Sequence, residues 1–144
     1  MKKVVVYSMF VVAILTLSGC NPDSRLNGIW EGTKWENGGE VENSAITFDF
    51  NDGIVKASRT VGPLSLNYQG TYTTDSFKIP SKILFSVNII NDNFIYVRKG
   101  IYRFSFPIFG KTLYLSIAES EEGDYPDKGR LDANIGPVYV LEKR

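Results

Sequence analysis

Leu64-Ser65-Leu66-Asn67-Tyr68-Gln69-Gly70-Thr71-Tyr72-Thr73 decides the fold class. Apolar or small residues at the even positions alternate with polar residues at the odd ones. A period of two is the mark of a strand with one face on a core and one in water. A helix would need a period of 3.6. The same alternation precedes it in Ile46, Phe48 and Phe50, separated by Thr47 and Asp49. Asn51-Asp52-Gly53 follows, and Asp-Gly between alternating runs predicts a tight hairpin, because Gly accepts positive φ. Ile54 to Thr60 reads as the return strand, and Gly62-Pro63 turns the chain into Leu64.

Further along, Lys82 to Ile90 and Phe94 to Phe106 are extended runs joined by Asn91-Asp92-Asn93. Both are rich in Ile, Val, Phe and Tyr, which suit a pleated, half-buried surface. Lys111 to Ala118 adds a strand, and Val138 to Lys143 closes the chain. Leu26 to Trp35 opens the domain. Eight strands with short turns predict an all-β, eight-stranded antiparallel up-and-down barrel, which leaves no open edge. A two-sheet sandwich is the alternative. Eight strands enclose an interior that side chains fill, or that holds one small ligand.

The first twenty residues have another character. Lys2 and Lys3 precede an apolar run from Val4 to Leu17, too short to span a bilayer and suited to a signal-peptide core. The run ends in Leu17-Ser18-Gly19-Cys20, which resembles the lipobox of bacterial lipoproteins. In that class the cysteine thiol is fatty-acylated and the preceding peptide, a signal helix, is removed. The expected organisation is a signal peptide over 1–19, a lipidated tether over 20–25, and a barrel over 26–144. Taking 19 residues from 144 leaves 125, with Lys2 and Lys3 lost and a side-chain charge of −2. Two or more acyl chains anchor a protein stably, so a membrane is the first expected partner. Asn21 stands where Asp would signal inner-membrane retention in Gram-negative lipoproteins. The resemblance therefore implies a cell-envelope protein, on the outer membrane if the host has one. Asn21 to Arg25 spans at most about 18 Å, so the domain is expected close to the membrane.

Composition narrows the chemistry. Lys plus Arg and Asp plus Glu each number 16, so no basic excess points to nucleic acid. There is no histidine and one cysteine. That excludes Ser-His-Asp and Cys-His catalysis, His-based zinc sites, internal disulfides and CxxC redox chemistry. No phosphate loop or GxSxG elbow is present, and no carboxylate pair stands out from the loop charges. The chain reads as a binding or structural protein without a cofactor rather than an enzyme. The acidic segment Ala118 to Asn134, with Glu119, Glu121, Glu122, Asp124, Asp127 and Asp132, lacks an EF-hand pattern. It reads as a solvated loop, with calcium binding as the lesser alternative.

Gly28 and Trp30 in Leu26-Asn27-Gly28-Ile29-Trp30-Glu31-Gly32 resemble the first-strand G-x-W signature of lipocalin-like proteins. Gly70-Thr71-Tyr72, Lys78-Ile79-Pro80, Gly100-Ile101-Tyr102, Gly110-Lys111-Thr112-Leu113 and Tyr125-Pro126 follow in order. Together, from Leu26 to Arg144, they resemble a small lipocalin-like domain family of bacterial proteins first noted in planctomycetes. Tyr125 stands where the family form has Arg. The family has no established activity, so the resemblance implies a fold. It also implies that Trp30 packs at the closed end of the barrel under a basic residue of the last strand. Lys143 and Arg144 are the basic residues there, and Arg144 joins Gly28 and Trp30 as the expected barrel-closing set.

A lipocalin-like barrel implies a small apolar or amphipathic ligand inside. Tyr68, Tyr72, Tyr102 and Arg103 are the expected contacts, as aromatic and basic strand residues able to face a pocket. The competing expectation is a solid-cored barrel that serves as a structural module or engages an envelope protein.

Overall fold

The computed structural model describes residues 22–105 and 111–144. The expected signal helix over 1–19, Cys20 and Asn21 lie outside the described residues, as does Phe106. The strands are β1 (Gly28–Glu36), β2 (Gly39–Glu40), β3 (Ile46–Asn51), β4 (Ile54–Val61), β5 (Leu64–Asp75), β6 (Ser81–Ile89), β7 (Tyr96–Phe104), β8 (Thr112–Ile117) and β9 (Val138–Lys143). Each hydrogen-bonds to its neighbours antiparallel, in the order β2-β1-β3-β4-β5-β6-β7-β8-β9. β1 also pairs with β9, from Trp30 opposite Lys143 to Trp35 opposite Val138. That pairing closes eight strands into a barrel and rules out the sandwich. β2 is a two-residue addition at the end of β1 that the sequence pattern does not announce.

The expected hairpins form for the expected reasons. Asp52 and Gly53 both take positive φ, at 46° and 93°, which matches the twist of the flanking strands. Asn27 and Asp52 exchange two hydrogen bonds, of 2.8 and 2.9 Å, and tie this turn to the chain entering β1. Gly70 sits where β5 crosses close to β6, and a Cβ there would run into the Ser86 carbonyl.

Alternation sends one face of every strand inward. At the end where β1 begins, the inward residues are large. Trp30, Phe50, Tyr72, Tyr102 and Phe104 are all buried. Phe50 meets Tyr72 edge-on at 5.0 Å, and Tyr102 meets Phe104 edge-on at 5.9 Å. Each such side chain contributes about 1.5–3 kcal/mol by leaving water. A 3-10 turn over Ser24–Leu26 lies across this end and plugs it with Leu26, 1% exposed. The Trp30 indole N–H donates to the Leu26 carbonyl at 2.7 Å. This is the solid, closed end of the barrel.

The segment after β8 departs from a simple solvated loop. It forms a second 3-10 turn over Lys128–Leu131 and lays Leu131 against Ile101 and Val138 on the barrel's outer face. Tyr125, Ala133 and Trp35 pack around that outer cluster. Lys82 and Lys99 lie over the Tyr125 ring at 4.5 and 5.7 Å. The segment's carboxylates are exposed. Among the described residues no three acidic or cysteine side chains converge as a cation site.

Candidate functional site

The opposite end of the barrel is hollow. A cavity of about 560 Å³ opens there, and Phe48, Val55, Phe85, Val87, Ile117 and Tyr139 make its apolar surface. It lies within the range of about 300–1,000 Å³ usual for small-molecule sites. The cause is a change in side-chain size along the strands. Trp30, Phe50, Tyr72 and Tyr102 fill the closed half, whereas Ala57, Val87 and Ile117 leave room in the open half. The turn at Gly62, the 90–95 loop and the segment from Ala118 to Pro137 surround the mouth. Val61, Leu64, Ile90, Phe94 and Ile95 are exposed near that rim.

Three cations line the cavity: Lys34 from β1, Arg59 from β4 and Arg98 from β7. Each is held by a tyrosine. Lys34 Nζ lies 5.5 Å from the Tyr139 ring centre. The guanidinium of Arg59 lies 5.9 Å from Tyr68, and that of Arg98 5.5 Å from Tyr96. Among the described residues, Glu119 is the one carboxylate of the lining. Arg98 also donates to the Val97 carbonyl at 2.9 Å and approaches Glu121 at 3.9 Å. Arg59 Nε is buried and has no hydrogen-bond partner among the described residues.

The expected site residues separate by position. Tyr68 lines the cavity. Tyr72 and Tyr102, 2% and 0% exposed, belong instead to the closed-end core. Arg103 is on the outer face, stacked 4.1 Å from the Tyr114 ring and exposed. The odd-numbered residues of β7 point outward, so Arg98 is the inward base of that strand. Period-two parity carries this information: Arg98 shares a face with Tyr96 and Tyr102, Arg59 with Val55 and Ala57, and Lys34 with Trp30. The three cations are what reading Arg103 as the pocket base missed.

The barrel-closing set is also revised. Lys143, not Arg144, lies over Trp30, with Nζ 5.4 Å from the ring centre. Lys143 is the residue paired with Trp30 across the seam and therefore shares its face. Arg144 is displaced to the outside, where it meets Glu31 at 2.6 Å. Gly28, at φ 126°, leaves room for the lysine stem, since a Cβ there would lie 2.9 Å from Lys143 Cε.

The expected tether is shortened by Asp23 and Arg25. Asp23 donates its backbone N–H to Thr74 Oγ1 at 3.0 Å. Its carboxylate accepts from the Tyr102 hydroxyl at 2.9 Å and pairs with Arg25 at 2.8 Å. Burial pushes the Asp23 carboxyl up, but the hydrogen bonds from Arg25 and Tyr102 outweigh it and hold it below its ordinary value. Burial, with Asp23 alongside, pushes the Tyr102 phenol well above its own. This is a structural lock on the closed end, remote from the cavity.

Comparison with protein-family models, with curated proteins and with solved structures gives no match.

Proposed function

We propose that this protein is a lipid-anchored lipoprotein of the bacterial cell envelope whose barrel binds a small amphipathic molecule. The cavity of about 560 Å³ in the open half of the barrel carries the reading. A barrel built only as a scaffold gains stability from filling that half, since buried apolar contacts are what hold a core together. The anchor reading rests on Leu17-Ser18-Gly19-Cys20, and Asn21 favours the outer membrane of a host that has one. Binding rather than catalysis is proposed because the chain has no histidine and its cavity holds bases with a single carboxylate. The lipocalin-like resemblance of Gly28 and Trp30 agrees with a cupped barrel.

Native mass spectrometry of the gently purified full chain tests the binding. The expected result is a small amphiphile released on activation, absent from an Ala57→Trp variant whose indole occupies the cavity. A wild-type chain that carries nothing, and takes up no added decanol, overturns the reading. The anchor is tested separately: Cys20→Ala is expected to lose metabolic labelling with palmitate and to leave the membrane fraction.

A further inference from the structure

The three cations of the cavity need an explanation that an apolar ligand does not give. Lys34, Arg59 and Arg98 come from three different walls and line one space that is otherwise apolar at its base. Among the described residues, neither Lys34 nor Arg59 has a carboxylate within ion-pair distance. Arg59 is flanked across the ladders by Ile46 and Leu66, and its buried Nε has no hydrogen-bond acceptor among the described residues. An unmade hydrogen bond from a buried charged donor is among the more expensive local features of a fold. The tyrosines beside the three cations hold them in place through ring faces but neutralise none of the charge. Among the described residues, Glu119 is the one carboxylate set against them in the lining.

We infer that the cavity takes an amphiphile with an anionic head group, a carboxylate or a phosphate, held by Arg59, Arg98 and Lys34, with its apolar tail over Phe48, Phe85 and Ile117. The inference rests on reading the cavity as a ligand site. An oxyanion supplies the acceptor that Arg59 lacks, and a charge-assisted hydrogen bond is about twice as strong as a neutral one. The tail accounts for the apolar surface beneath the charges. A free inorganic anion would leave that surface unused.

Isothermal titration of the full chain in phosphatidylcholine nanodiscs, with empty discs as the blank, tests this. The probes are decanoate, decyl phosphate, decanol and inorganic phosphate. Decanoate or decyl phosphate is expected to bind about tenfold more tightly than decanol, or better. The tighter of the two identifies the head group. Arg59→Gln and Arg98→Gln are each expected to erase most of that margin, and circular dichroism checks that the variants fold. Arg59→Lys is expected to retain part of it. In the wild type, added salt should weaken decanoate and not decanol. Equal affinity for decanoate, decyl phosphate and decanol overturns the anionic head group and leaves the cavity reading standing. Inorganic phosphate binding as tightly as decyl phosphate overturns the amphiphile. If no amphiphile binds, the cavity reading falls and this inference with it.

Discussion

Lys143 Nζ lies 5.4 Å from the centre of the Trp30 ring, across the β1–β9 seam that closes the barrel. Gly28, two residues before Trp30, makes the space for the lysine stem and holds φ at 126°. Gly28→Ala is expected to destabilise the fold by about 1–3 kcal/mol, from backbone strain and contact with Lys143 together. Lys143→Ala alone should lose about 0.5–1 kcal/mol, because the ammonium end is exposed. Combined, the two should cost less than their sum, since removing the lysine relieves the contact. Arg144→Ala should give no such relief. Chemical denaturation of the four variants reads this directly, and strict additivity for Gly28 and Lys143 would show that the contact carries no energy.

The Asp23–Tyr102 lock predicts the pH dependence of stability at both ends. The folded-state carboxyl of Asp23 lies below its unfolded value of about 3.9. Its contribution is therefore present above that value and lost as pH falls through the folded one. Tyr102 is raised above its unfolded value of about 10, so its contribution is present below that pH and lost as pH rises past it. Asp23→Asn is expected to flatten the acid loss. Tyr102→Phe should flatten part of the alkaline loss and cost about 1.5–3 kcal/mol at neutral pH. Tyr72, whose phenol is also raised by burial, should contribute to the alkaline loss as well. Melting temperature against pH checks each, and an unchanged acid limb in Asp23→Asn would remove Asp23 from the account.

Strand identity was legible because alternation and turn chemistry are local. The final strand, Val138–Lys143, has the bounds its pattern predicts. Face was equally legible: Arg98 stands inside by the parity of Tyr96 and Tyr102, and Arg103 stands outside by the same parity. The choice between Lys143 and Arg144 needed the β1–β9 register, which joins residues more than a hundred positions apart. The cavity was not legible, because it depends on how inward side-chain sizes from eight strands sum at one level of the barrel. Nor was the outer cluster, because Leu131 reads as one apolar residue in a charged loop until Ile101 and Val138 lie beneath it.

Leu131 is expected to anchor the whole segment that borders the mouth. It is 3% exposed and is the apolar residue of its 3-10 turn. Leu131→Ala should destabilise by about 2–3 kcal/mol through the cavity it leaves. The loss should be local first, because Leu131 belongs to the outer cluster and not to the barrel core. Hydrogen exchange should quicken at Arg130, Ile135 and Gly136, whose amides bond within the segment, ahead of any change in β3 to β6. Uniform quickening across the barrel would show that the segment is not a separate unit.

The anchor reading also fixes an orientation. Pro22 lies beside Gly53, and Asp23 bonds to Thr74, so the described chain begins at the closed end, next to the loop between β5 and β6. That loop carries Phe77 and Ile79, which are 97% and 99% exposed. On the anchor reading, a domain tethered through Cys20 by so few residues would bring this loop to the bilayer surface, where exposed apolar side chains find their place. The mouth then faces away from the membrane. In nanodiscs containing brominated lipid, a tryptophan at position 77 (Phe77→Trp) should be strongly quenched. One at position 64 (Leu64→Trp), on the opposite rim and 63% exposed in the native residue, should be quenched little. Both are made with Trp35→Phe, which leaves only the buried Trp30 as background. Phe77→Ser with Ile79→Ser should leave stability nearly unchanged, because neither side chain is buried, yet lower protection of the loop from protease in the discs. Equal quenching at positions 64 and 77 would show that the closed end does not face the membrane.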